Sequence, residues 1–555
     1  MADPPEEFTS ETYLIEVTEH CTDNILSYLV TCLRSRGLNV EVVQCHDKKV
    51  ISVTCPFHLL CQQAEELQLL KRTNEPIGVR KFTTHNSAVF VGHESQSGLF
   101  TPAEQMLILE YVLQQVSFSP EEFEKVGVKK IGAKTSFLTA CLHSKPKLIE
   151  THTPQHSAED RKKLWQSIKR NPFVFPYHDI SNYYGPEVAF YFAWMSFFTY
   201  ALFPIAGFGI VLFLHRQFDT SITVDDSPYL PFYALGMALW AIIYLKGWTR
   251  MEHCLALEWG TYRNEQVENV RPEFEGELRL SPITGKMETY YPMWRRRVRY
   301  FLSFLISLPF LMLGVGAMIL SLNLNGYIKH PESPIHIASL ARYADPGGIF
   351  AGDNPYYGWM VPTIAHSIVI NIINQIYRSV AAVSTDIENH KTESAWSSSL
   401  IVKRVMFELF DCYLPLFYIA FYQLDILALR RELVGLFWGD EIRRVVTEAI
   451  IPYITEKIEA RKVKKASGLS KKSDDPSKLK ELAIINNLIY EEYEQFDDYI
   501  EMVVQFGYVT LFASAFPLCS AVTILFLFLE ARSDMFKLLF LTRRPVVRRA
   551  KSIGM

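Results

Sequence analysis

The stretch 300–322, YFLSFLISLPFLMLGVGAMILSL, runs for twenty-three residues without a charge. About twenty mainly apolar residues suffice for a helix to cross the hydrocarbon core of a bilayer. This segment therefore sets the fold class as a membrane-spanning helical protein. Similar runs lie at 197–215, 229–248, 358–377, 405–424, 499–516 and 518–534. An eighth, 427–454 (LALRRELVGLFWGDEIRRVVTEAIIPYI), is too polar to face lipid all round. It spans only if its polar side faces protein or a cavity.

Loop charges decide whether that eighth segment crosses. The connections 249–298, 378–404 and 455–497 and the tail 541–555 are rich in Lys and Arg, including Arg295, Arg296, Arg297, Arg543 and Arg544. The connections 216–228 and 323–356 carry few. By the positive-inside rule the basic set is cytosolic, as is the N-terminus. The alternation closes only with eight spans. The stretch 455–497, with KKASGLSKKSDDPSKLK inside it, reads as a basic cytosolic linker.

Composition agrees. The chain has 555 residues, 49% of them hydrophobic, and a net charge of −4. The average hides apolar blocks between charged loops, and so small a net charge gives no sign of nucleic-acid binding. Nine cysteines are scattered without a CxxC pair, so they read as free thiols. MADPPEEFTSETY has no apolar core and is not a secretory signal. The two non-cytosolic connections lack glycosylation sequons and cysteine. That suits the plasma membrane and the endoplasmic reticulum equally.

Residues 1–90 read as a small α/β module. Alternation in TYLIEVT, NVEVVQC and KVISVTC marks strands, two amphipathic stretches mark helices, and GVRKFT (78–83) is a candidate fourth strand. The order βαββαβ is ferredoxin-like. Residues 91–190 read as a helical connection, with Thr101 a candidate N-cap. ETHTPQHS reads as loop. Residues 191–540 form the transmembrane domain.

Carboxylates cluster at one membrane level. Asp498 and Glu501, three apart, share a face at the start of the seventh span. Glu530 and Asp534, four apart, share one at the end of the eighth, and Glu448 lies near the end of the sixth. Such acids either pair with nearby Lys and Arg or hold a hard cation; calcium takes about six to eight oxygens in irregular geometry. Other polar groups within spans suggest a track for ions or lipid headgroups: Asn371, Asn374, Glu408 and Asp411, with Lys403 and Arg404 at a cytosolic mouth. No nucleotide loop, nucleophile elbow or HExxH motif is present, so nothing here reads as an enzyme.

Four stretches resemble the anoctamin family: 183–204 (YYGPEVAFYFAWMSFFTYALFP), 258–292 (EWGTYRNEQVENVRPEFEGELRLSPITGKMETYYP), 384–422 (STDIENHKTESAWSSSLIVKRVMFELFDCYLPLFYIAFY) and 496–518. The likeness runs from about residue 180 to the end and is strongest to the anoctamin-8/anoctamin-10 branch. It implies a homodimer of ten-helix subunits, of which eight helices are read here before the chain ends at RAKSIGM. It implies a calcium-activated chloride channel or phospholipid scramblase, with membrane lipids and anions as partners. A membrane-contact-site tether is the alternative. The resemblance also implies a two-calcium site built from Glu448, Asp498, Glu501, Glu530 and Asp534. Arg444 stands where the family has an asparagine ligand, and a fixed cation there opposes calcium.

Overall fold

The alternating segments near the N-terminus pair into one sheet in the computed structural model, which describes residues 10–553 apart from 117–136, 219–226, 263–270, 352–357, 462–480 and scattered shorter stretches. The order begins β1 (Thr12–Val17), α1 (Asp23–Ser35), β2 (Asn39–Cys45), β3 (Lys48–Thr54) and α2 (Phe57–Glu66). Residues 78–83 do not supply the fourth strand of this sheet. They form β5 (Val79–Lys81), paired with β4 (Leu70–Arg72) in a separate ribbon. The fourth place goes to β6 (Ile149–Pro154), in the histidine-containing stretch expected to be loop. Burial gives the reason. β5 offers no buried residue, whereas β6 buries Ile149 and Thr153 against the core. The sheet runs β2-β3-β1-β6 with every neighbour antiparallel.

Helix α3 (Pro102–Gln114) covers the module. Its start is a capping box, in which the Thr101 hydroxyl accepts from the Glu104 N–H and the Glu104 carboxylate accepts from the Thr101 N–H. Two further helices, α4 (Ala158–Arg170) and α5 (Tyr177–Tyr184), lead to the apolar part.

That part contains α6 (Pro186–Phe218), α7 (Leu230–Glu258), α8 (Met293–Leu324), α9 (Met360–Ile387), α10 (Glu393–Phe417), α11 (Ile426–Arg444), α12 (Gln495–Leu511) and α13 (Cys519–Phe540). Among the described residues, four stretches, Pro186–His215, Leu230–Glu258, Met293–Leu324 and Glu393–Gln423, are long and apolar enough to cross a membrane. The other four helices lie where spans were expected and carry most of the polar groups. Two π-helical turns, Tyr418–Gln423 and Val445–Ile450, extend α10 and α11. Such turns concentrate at functional sites because they re-aim side chains within a helix. Arg430, near the far end of α11, donates to the Ala515 carbonyl in the α12–α13 turn at 2.7 Å.

The tail after α13 is no solvated basic extension. It runs back between the module and α5. Arg544 is fully buried: it bonds Glu11 at 2.6 Å and the Tyr183 carbonyl at 2.7 Å, and its guanidinium lies over the Tyr183 ring. Val547 packs against Gly185, which has φ +94. A Cβ there would lie 2.6 Å from the Val547 side chain, so only glycine suits both the backbone and the contact.

His156 completes this junction. The Tyr183 hydroxyl accepts from the Ser157 N–H and donates to His156 Nδ1, which leaves Nε2–H to donate to the Thr542 carbonyl at 3.1 Å. Burial, reinforced by Arg161 and Arg544, holds the imidazole down at about 3, against an ordinary 6.5. The unfolded chain therefore binds the proton between those values and the folded chain does not. Stability from this group is complete above pH 6.5 and is lost as pH falls toward 3, at up to about 1.4 kcal/mol per pH unit. Thermal unfolding from pH 7 to 5 should show this slope, and His156→Asn should flatten it. An equal slope in both chains would refute the assignment.

Candidate functional site

The site is assembled where the start of α12, the end of α13 and the end of α11 meet. Helix α12 begins with Asp497 and Asp498 in its first turn, where carboxylates complement the helix dipole. Helices α12 and α13 form a hairpin, and α11 packs beside them. This brings Asp498 and Glu501 of α12, Glu530 and Asp534 of α13, and the end of α11 close together. Asp498, Glu530 and Asp534 are buried.

These carboxylates meet cations and phenols of this chain. Arg444 Nη1 lies 3.3 Å from Glu530 Oε1 and 3.7 Å from Glu501 Oε2, and its Nη2 donates to Glu441 Oε2 at 3.1 Å. Lys537 donates to Asp498 Oδ1 at 2.7 Å. The Tyr493 hydroxyl donates to Asp498 Oδ2 at 2.7 Å, and the Tyr191 hydroxyl to Asp534 Oδ2 at 2.6 Å. The Glu448 side chain lies outside the described residues. Among those described, no three His, Cys, Asp or Glu side chains are grouped closely enough to hold a metal ion.

Helices α9, α10, α11 and α12 line a cavity of about 640 Å³ that shares Arg444, Glu501 and Lys537 with this cluster. Of the six expected groove residues, Asn371, Asn374, Arg404, Glu408 and Asp411 line it. Lys403 is absent from its walls. It pairs instead with Glu388 at 2.7 Å, in a clasp that also takes His390 and Ser399. Burial pushes Glu388 up, but His390, Lys403 and Ser399 outweigh it and hold the carboxyl down at about 2. The clasp closes the α9–α10 turn. There Asn389 adopts the left-handed region at φ +56, and its amide bonds both backbone groups of Glu275.

The cavity walls alternate in charge. With its amide oxygen turned inward, Asn371 accepts from Arg443 Nη1 at 2.9 Å. Arg443 also lies 3.5 Å from Glu501. Beside the start of α12, Arg378 of α9 and Arg404 of α10 both bond Asp497. Asp411 packs on Gly314 of α8, where a Cβ would fall 2.2 Å from Asp411 Oδ1.

Sequence reasoning missed Asp497, Arg378, Glu441 and Lys537. Some signal was present. Lys537 stands three residues after Asp534, and Asp497 adjoins Asp498 but points about 100° away around the helix. Nothing in the sequence told that Asp497 would draw arginines from two other helices.

Long apolar helices around a charged cavity define a polytopic membrane protein with a polar path among its helices. The chain belongs to the anoctamin family: the family described as "Anoctamin: Calcium-activated chloride channel" matches residues 180–555. "Anoctamin, dimerisation domain" matches residues 70–170. Among curated relatives, human anoctamin-10 is 31% identical over 498 residues, covering 88% of this chain and 71% of the relative. Anoctamin-10 of Danio rerio is 31% identical over 515 residues, covering 91% and 75%. Human anoctamin-8 is 30% identical over 422 residues, covering 73% of this chain but 31% of the relative.

The family description raises calcium, and the side chains can be tested against it. Calcium needs about six to eight oxygens at about 2.3–2.6 Å. Here a guanidinium stands among Glu441, Glu501 and Glu530, and an ammonium on Asp498. As arranged, these groups do not fit a calcium ion, because its place among the carboxylates is held by positive charge already.

Proposed function

We propose that this chain moves anions or phospholipid headgroups across its membrane along the cavity between α9, α10, α11 and α12. One observation carries this reading: a cavity of about 640 Å³ lined by Asn371, Asn374, Arg404, Glu408 and Asp411, within helices that sit where spans were expected. Ionisable side chains at membrane depth are costly to bury unless they serve a path or one another. Arginine and asparagine donors suit a phosphate or a halide, while the facing carboxylates suit an ammonium headgroup. Family membership supports the same reading and speaks for transport rather than enzymatic chemistry.

The finer features belong to the same proposal. The chain crosses the membrane eight times with its N-terminus cytosolic. Its antiparallel β2-β3-β1-β6 order supports a ferredoxin-like module, and the match to the dimerisation domain supports pairing of two copies. The membrane is the plasma membrane or the endoplasmic reticulum. Nothing in the geometry favours a tether without transport.

Purified chain in liposomes tests the reading through chloride efflux and fluorescent-lipid exchange. One or both should exceed protein-free liposomes. Gly314→Ala should lower the flux several-fold with little loss of stability. Its methyl group would lie 2.2 Å from Asp411 Oδ1, so the Asp411 side chain must swing into the cavity. Folded protein with neither activity would sink the proposal.

A further inference from the structure

The carboxylate cluster asks for positive charge. Glu441, Asp498, Glu530 and Asp534 are buried, and each is 5% exposed or less. Ionised carboxylates in such surroundings repel one another and have lost most of their hydration, so they require compensating charge in contact. A bundle with this cluster either stays loose until a cation arrives or carries its own.

Arg444 has the position and shape to be that cation. It is the last residue of α11, 7% exposed, immediately before the π-helical turn. Its guanidinium meets carboxylates from three helices at once: Glu441 of α11, Glu501 of α12 and Glu530 of α13. A planar fork with several donors can serve three acceptors; a single ammonium point charge serves them less well. Lys537 does the equivalent for the other half. It rises from α13, three residues beyond Asp534, and bonds Asp498 of α12. Two protein cations thus cross-link α11, α12 and α13 at the level where the acids gather.

We propose that Arg444 and Lys537 are the resident cations of this cluster, so that the native chain holds its helices together here without calcium. A divalent cation would have to expel both side chains from buried contacts and leave them unpaired. The consequence for transport rests on the proposed function: flux through the cavity does not wait for calcium. The cation assignment stands apart from it, because calcium binding is measured without any flux.

The test uses the full chain in detergent micelles, with calcium as the probe. Direct calcium binding and the thermal midpoint in calcium against chelator are the readouts. The native chain should bind no calcium saturably, and its midpoint should not move. Arg444→Asn should lower the midpoint in chelator, gain saturable calcium binding and recover part of the loss when calcium is added, since a ligand selective for the folded state stabilises it. Arg444→Lys keeps a positive charge and should stay calcium-blind. Lys537→Gln should gain weaker calcium binding and guards against poor folding of the arginine variant. Saturable binding by the native chain would overturn the proposal. So would calcium-blindness of both Arg444→Asn and Lys537→Gln in folded form.

Discussion

Gly209→Ala is expected to destabilise the chain by about 3 kcal/mol, the upper part of the range for overpacking a close contact. The added methyl group would lie 2.1 Å from the Pro517 carbonyl oxygen and 3.0 Å from its carbon. Both atoms are backbone, so no side chain can rotate away. Pro517 lies in the α12–α13 turn, and Tyr233 of α7 donates to the same carbonyl at 3.2 Å. Pushing the turn off α6 therefore breaks a second contact and loosens the hairpin that carries Asp498, Glu501, Glu530 and Asp534. Gly207 is the control. A Cβ there meets nothing within 4 Å, so Gly207→Ala should be neutral or stabilising by up to about 1 kcal/mol through helix propensity. Thermal unfolding of both variants in detergent decides the matter; equal midpoints would refute the packing argument.

Arg544→Met should cost a similar amount, about 3 kcal/mol, the lower end for removing one partner of a buried ion pair. Its partner Glu11 keeps some access to water, with a side chain 13% exposed, which spares part of the penalty. The variant also gives up bonds to the Tyr183 and Gln155 carbonyls and the contact with the Tyr183 ring. The tail continues directly from α13, so releasing it frees the C-terminal end of the helix that bears Asp534 and Lys537. Hydrogen exchange should rise in 541–551 and in β6, whose Thr153 hydroxyl donates to the Arg544 carbonyl. Arg544→Lys should fall between the two, keeping charge but losing the fork. Unchanged exchange in the tail of Arg544→Met would show that the junction is held by other contacts.

The apolar helices were legible because their signal is local. Helices lie at the expected segments, though with other bounds: α12 ends at Leu511, short of 516, while others run further. The segment read as 197–215 belongs to α6 at Pro186–Phe218, and 300–322 to α8 at Met293–Leu324. Polar turns at a helix end continue the backbone ladder without changing the hydropathy that marks the span. The Thr101 cap was legible for the same reason, since Thr-x-x-Glu is a contact within one turn. The fourth strand was not. Residues 78–83 and 149–154 are both short and mixed in character, and only docking against β1 separates them.

The groove residues show the same division. Asn371, Asn374, Glu408 and Asp411 stand out in the sequence as polar groups inside apolar runs, and the cavity gathers them. Lys403 and Arg404 adjoin in sequence yet part in the fold. Successive residues on a helix point about 100° apart, so one meets Glu388 and the other Asp497.

By itself, then, the sequence determined a membrane-spanning helical chain of the anoctamin family, with paired acids and with polar groups along its later apolar segments. Hydropathy, helix period and family motifs are properties of neighbouring residues, and they survive without coordinates. Only the tertiary structure decided what those acids touch. Charge pairing in a buried cluster depends on distances between helices far apart in the chain, and a difference of a few ångströms separates a calcium cage from a set of ion pairs. Here the packing of α11 against α12 and α13 places Arg444 among Glu441, Glu501 and Glu530, and the turn of α13 brings Lys537 onto Asp498.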